Sequence, residues 1–224
     1  MTLRSPVMLC LLVAVSACQD AGTRAPKAAP PEVGPGPIAA LVAPDSFALA
    51  AVAPALFHVV FVTSKGEFEI AVDRSLSPHG VDRLHYLVQN GFFTGARFFR
   101  VVRGFAAQFG LSGIPAVDKA FDARPIKDDR RKISNTKGTL VFAAHGPNTR
   151  ATQLFINTAD NGRLLDAQGF APMGRVVRGM DVVEQLESGY GETSNVQGRI
   201  MTRGNDYLRI AFPELDSIVR ATMK

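Results

Sequence analysis

The chain has 224 residues, 46% of them hydrophobic and 20% charged, which is enough to bury one substantial core and too apolar for a disordered chain. Its formal charge of +5 comes from basic residues interleaved with acids, as in Lys127-Asp128-Asp129-Arg130-Arg131-Lys132. That is the pattern of a solvated loop and not of a nucleic-acid-binding stripe, so no nucleic-acid partner is expected. Cys10 and Cys18 both lie near the front, and His58, His79, His85 and His145 show no metal-ligand spacing. A disulfide framework is excluded, and no metal or cofactor is expected.

Residues 1–17 have a short leader carrying Arg4, an apolar run from Val7 to Ala17 and small residues before Cys18, the composition of an export signal. The run is shorter than the about 20 residues needed to cross a bilayer. Val15-Ser16-Ala17-Cys18 resembles a bacterial lipobox. Simple cleavage after Ala17 also fits, but lipidation of Cys18 gives the mature chain's single cysteine a purpose. Gln19 resembles the residue of lipoproteins sorted to the outer membrane, so a lipid-anchored protein of the periplasm or cell envelope is expected. Residues 18–54, rich in Ala, Pro and Gly, read as a tether, with the apolar stretch 38–53 alternatively docked on the domain.

From residue 55 the pattern changes to strands. Phe57 to Thr63 is β-branched and aromatic, Ser64-Lys65-Gly66 is a turn, and Glu67 to Val72 alternates polar and apolar, which predicts a hairpin. Ser77-Pro78 offers an N-cap and a first-turn proline for an amphipathic helix ending at Asn90-Gly91. Residues 96–110 read as a strand broken at Gly104, which places Arg100, Phe105 and Gln108 around a kink. A long charged loop follows from Leu111 to Lys137. Leu140–Ala144, Gln153–Asn157 and Met173–Val177 predict strands and Gly179–Leu186 a helix. The tail, from about 188, predicts a Gly-Tyr-Gly loop, a strand near Tyr207–Ala211 and a last helix opened by Pro213-Glu214 with Leu215, Ile218 and Val219 on one face. Many short strands with few helices favour a mainly β fold.

Three ordered motifs carry a resemblance: Phe98 through Gln108 with Gly110; Gly146-Pro147-Asn148-Thr149 with Gln153 and Phe155; and Leu165-Asp166 followed by Gly174-Arg175-Val176. Residues 56 to about 187 resemble a cyclophilin, a peptidyl-prolyl cis/trans isomerase. The resemblance implies a closed eight-stranded antiparallel barrel capped by two helices, to which this chain adds a C-terminal strand and helix. It implies catalytic roles for Arg100 and Gln108, and a substrate groove formed by Phe105, Ala106, Ala143, Ala144, Gln153, Phe155, Leu164 and Met173. The implied partners are proline-containing polypeptide clients, bound by a monomer. Phe99 stands where the best-known members have histidine, Ala144 where they have asparagine, and Leu164 at the tryptophan linked to cyclosporin binding. The stretch Ala167 to Met173 is one residue longer than the family pattern.

The residue chemistry agrees with this. Rotating an X-Pro bond requires no nucleophile. The proline nitrogen regains its lone pair only at the twisted transition state, so a fixed cationic donor such as Arg100 stabilises that state selectively. The rival reading is a module that holds proline-containing segments with little turnover. Phe105 and Phe155, read without the motif, are ordinary core aromatics, and Asn148 and Asp166 are turn formers.

Overall fold

The computed structural model describes residues 38–192 and 196–224. The expected export signal, Cys18 and the first part of the expected tether lie outside them. Eight strands form one antiparallel sheet: β1 (Leu56–Thr63), β2 (Gly66–Asp73), β3 (Arg100–Val102), β4 (Ala106–Phe109), β5 (Thr139–Phe142), β6 (Leu154–Asn157), β7 (Pro172–Arg178) and β8 (Ile218–Met223). Their spatial order is β3-β4-β6-β5-β7-β2-β1-β8.

The expected hairpin is β1 and β2, paired from Leu56↔Asp73 to Thr63↔Gly66. Phe57, Val59, Phe61, Phe68, Ile70 and Val72 point to the core from it, where Phe61, Phe68, Phe93, Phe98 and Phe109 pack ring against ring at 5.0–6.5 Å. Two helices flank the sheet's early part, α1 (Ile38–Val42) and α2 (Ser46–Leu49). The end of the expected tether is therefore docked: Leu41 and Ala53 are buried in the core cluster, and Ala53 N donates to Asp82 at 2.9 Å.

The predicted amphipathic helix is α3 (Pro78–Gln89). Ser77 occupies its N-cap position, but its hydroxyl donates to Asp129 instead (2.6 Å). Asp129 in turn accepts from the amides of His79 and Gly80 at 3.1 and 2.9 Å. A residue of the charged run thus caps this helix from 50 residues away, and that part of the run is not solvated: the Asp129 side chain is 5% exposed. The long loop also holds a helix of its own, α4 (Pro115–Asp122).

Residues 96–110 form a hairpin and not one kinked strand. Val102 O accepts from Phe105 N at 3.1 Å, and Gly104 at φ +70 takes the left-handed value that a type II turn needs at that position. β3 and β4 then pair Arg100 with Gln108. After β5 and β6 come α5 (Gly162–Leu165), β7 and α6 (Met180–Glu184).

The tail reverses its predicted types. The segment expected as a strand is the end of α7 (Gln197–Ala211), whose buried residues Ile200, Gly204, Tyr207 and Leu208 fall at helical spacing. The expected last helix is strand β8, which pairs antiparallel with β1. Ile218 and Ala221 are buried, a pairing that favours the β-branched Ile218, Val219 and Thr222. Phe99 is buried with Leu111, Ile200, Tyr207, Leu208 and Leu215 in a second cluster, so the phenylalanine that departs from the family pattern anchors the C-terminal extension.

The sheet curls into a half-barrel and does not close by a ladder. β3 and β8 are its edges, and the gap is spanned by the isolated bridge Arg97↔Ser217 with bonds such as Phe98 N to Asp216 O at 3.0 Å. The expected closed barrel is corrected to this open form, because Gly95 to Phe99 spends its backbone on the β8 approach in a bend and not in a regular strand.

Candidate functional site

Strand alternation assembles the site. On β4, Ala107 and Phe109 point into the core, so Ala106 and Gln108 point to the other face. Arg100 lies opposite Gln108, Gln108 opposite Phe155, and Phe155 opposite Val141. One row across four strands therefore runs from a guanidinium through an amide to an apolar floor. Ala106, Val141, Phe155 and Leu165 form a buried cluster of their own, with Phe105, Ala143 and Phe170 packed on it. Above it opens a cavity of about 260 Å³.

Arg100 is held at the rim of this cavity. Its Nη1 donates to Gln108 Oε1 at 3.2 Å and its Nη2 to Glu192 Oε1 at 2.6 Å. The guanidinium lies over the Phe105 ring at 5.4 Å. Its Nε is buried and makes no hydrogen bond. Gln108 Nε2 donates to Gln153 Oε1 at 2.9 Å, and Gln153 Nε2 to Gln197 Oε1 at 3.2 Å. A chain of amides therefore fixes the side of the guanidinium facing β4. The hydrogen bond from Arg100 holds the Glu192 carboxyl below the usual carboxylate range.

Arg100, Phe105, Ala106, Gln108, Ala143, Ala144 and Phe155 are thus brought together around one cavity. Gln153 sits next door, lining an adjoining hollow of about 160 Å³ with Asp118 and Asp122. Two expected wall residues are elsewhere. Leu164 is 56% exposed, and its neighbour Leu165 lines the cavity in its place, because one turn of α5 sends consecutive residues in different directions. Met173 is fully buried in the main core. The wall it was to provide is Phe170, whose ring meets Phe155 edge-on at 5.7 Å; the only sequence signal for it is an aromatic in the lengthened loop. Glu192 and Gln197 lie in no motif and come from the extension. Asn148 has a positive φ of 54 and exchanges bonds with Asp128, and Asp166 accepts from Asn135, so both are turn residues.

A larger hollow of about 460 Å³ shares Ala144 and Phe170 with the site. Its charged groups, Asp128, Asp129 and Arg150, are already paired with one another.

Comparison with known proteins identifies the family. The family model described as cyclophilin type peptidyl-prolyl cis-trans isomerase/CLD matches residues 58–204. The chain is 35% identical over 144 residues to peptidyl-prolyl cis-trans isomerase A of Dickeya dadantii, which covers 62% of this chain and 74% of that protein. It is also 35% identical over 143 residues to a peptidyl-prolyl cis-trans isomerase of Acinetobacter baylyi, covering 60% and 76%. Among solved structures, a Cryptosporidium parvum cyclophilin type peptidyl-prolyl cis-trans isomerase superposes with a TM-score of 0.58 at 18% identity, over 75% of this chain and 98% of that one. At that identity the superposition speaks for the fold alone.

Proposed function

This chain belongs to the cyclophilin-type peptidyl-prolyl cis-trans isomerase family, and we propose that it isomerises X-Pro bonds of exported proteins by donation from Arg100 to the proline nitrogen. The barrier to be lowered is about 18–20 kcal/mol, set by delocalisation of the nitrogen lone pair into the carbonyl. As the bond twists, the lone pair localises on the nitrogen. A donor placed there binds the transition state and not the planar ground state. The single observation that carries this reading is the Arg100 guanidinium at the edge of an apolar cavity, with an Nε–H that has no partner.

The proline ring sits on Phe105, Phe155, Ala106 and Leu165. Gln108 and Gln153 hold the guanidinium and the peptide backbone. No covalent intermediate forms, and no proton leaves the enzyme. A charge-assisted hydrogen bond contributes about 1.5–3 kcal/mol, or one to two decades in rate. The remainder comes from orienting the peptide in the cavity. The test is a protease-free assay of cis-proline peptides; equal activity in wild type and Arg100→Ala overturns the mechanism.

Lipidation of Cys18 places the domain at the envelope membrane. Cys18→Ala is expected to release the protein from the membrane fraction, and unchanged fractionation overturns the anchor. A specific observation, the Glu192 carboxylate on the Arg100 cation, favours a second reading, a proline-segment holder with little turnover. Peptide binding without exchange broadening between cis and trans signals in NMR spectra selects that reading.

A further inference from the structure

The geometry points to Glu192 as a specificity-determining residue: a carboxylate set against the site's cation that biases the enzyme against X-Pro bonds in which X is acidic. This inference rests on the role given to Arg100 above. Glu192 Oε1 lies 2.6 Å from Arg100 Nη2, and Glu192 lines the same cavity as Phe105 and Phe155. It therefore stands beside the reacting bond and not on a remote rim. Its side chain is 61% exposed against 17% for Arg100, so an arriving peptide meets the carboxylate before the guanidinium.

Charge balance makes the carboxylate matter. Among the described residues lining this cavity, Arg100 and Glu192 are the only charged side chains. The mouth thus holds one cation and one anion. The adjoining hollow beyond Gln108 and Gln197 adds Asp118 and Asp122 and no lysine or arginine. Although the whole chain is net positive, the described residues lining these two hollows carry more carboxylates than lysines and arginines.

The chemistry of the substrate fixes which residue feels this. With the proline ring on the apolar floor and its nitrogen toward Arg100, the preceding residue is attached through that nitrogen. Its side chain therefore emerges near the Arg100–Glu192 pair. A lysine there is drawn to Glu192. A glutamate is repelled by it, and where it succeeds in displacing Glu192 it occupies the guanidinium in place of the proline nitrogen. Without the carboxylate, the lone guanidinium attracts the acidic residue instead.

A unit charge about 7 Å from a carboxylate at a partly exposed site changes binding about three- to sevenfold. Glu192 is therefore expected to raise the lysine-over-glutamate ratio in kcat/KM about tenfold above what Arg100 alone would give. The experiment uses three tetrapeptides differing only before proline (Lys, Ala or Glu), assayed without a coupling protease at about 20 mM salt. In Glu192→Gln the Lys/Glu ratio of kcat/KM is expected to fall about tenfold from its wild-type value, and further in Glu192→Lys, with circular dichroism confirming that both variants fold. The shift is expected to shrink at about 0.5 M salt, where charges beyond a few ångströms are screened. An unchanged ratio, or an equal loss for all three peptides as a merely structural contact would produce, overturns the inference. An Arg100→Ala enzyme that keeps full activity overturns the Arg100 mechanism, whereas an inactive Arg100→Ala enzyme beside an unchanged Glu192→Gln ratio overturns the Glu192 inference alone.

Discussion

Arg100 and Arg150 are the same side chain in the same kind of setting. Each lies over a phenylalanine, at 5.4 Å from Phe105 and 5.9 Å from Phe142, and each has a buried Nε without a hydrogen bond. Their partners differ. Arg150, with 6% of its side chain exposed, is bound by Asp129 at 3.0 Å and by the Lys127 carbonyl, and its Nε faces Asp128 at 3.3 Å. Arg100, at 17%, leans on one amide and one largely exposed carboxylate. A guanidinium with all its charge answered locally joins a loop to a helix. One whose partners are a neutral amide and a largely exposed glutamate keeps a donor for a ligand. The two residues look alike in the sequence, and only their partners separate structure from function.

The first way to break this comparison is Arg150→Met. It leaves Asp129 buried without its cation and is expected to cost about 3–5 kcal/mol in urea unfolding, while the folded fraction keeps its specific isomerase activity. The carboxylates supply the next test. Burial pushes the Asp129 carboxyl up, but hydrogen bonds from Ser77, Gly80 and His79 and the Arg150 charge hold it below the usual range. Asp118 is buried with hydrogen bonds and no cation, and burial pushes it up to about 6. Its folded state binds the proton more tightly than the unfolded chain does. Its contribution to stability is therefore present below about pH 4 and lost as pH rises through 6. Relative to wild type, Asp118→Asn is expected to gain up to roughly 3 kcal/mol between pH 4 and pH 7, read as the difference in urea midpoints.

Arg100→Ala is expected to do the opposite of the Arg150 change. The isomerase rate should fall about ten- to a hundredfold, and stability should move by no more than about 0.5–1 kcal/mol. Smallest of all, Leu164→Ala should alter both rate and stability by less than about 0.5 kcal/mol. Leu165→Ala, one residue along, should cost about 2–4 kcal/mol and weaken peptide binding.

Most of the site was legible because it is built from strands of short period. Once Arg100, Phe105 and Gln108 lie on β3 and β4, alternation puts Gln108 and Phe155 on one face whatever the rest of the chain does. The same rule has no purchase on α5 or on the loop after it. There a single step of about 100° decides between Leu164 and Leu165, and Phe170 replaces Met173 through a loop path that no periodicity describes. Glu192 and Gln197 were invisible because their place depends on where the extension packs, and Phe99 decides that. The tail was misread for a related reason. Leu215, Ile218 and Val219 fit one face of a helix, but β1 has an open edge, and pairing with it outweighs a weak local preference. The hairpin at Gly104 was the nearest miss, since a kink and a type II turn ask for the same glycine.

The place of β8 also sets when this protein can be finished. β1 is among the first strands to be made, yet its outer edge pairs only with residues 218–223, Val59 with Met223 and Phe61 with Ala221. Closing so long a loop is slow. Until the last strand is synthesised, a row of free amides and carbonyls along an apolar strand stays open to other chains. A nascent chain stalled after Ala211 should therefore be complete in every site residue named above and still aggregate, because the strand that protects its first edge has not yet been made.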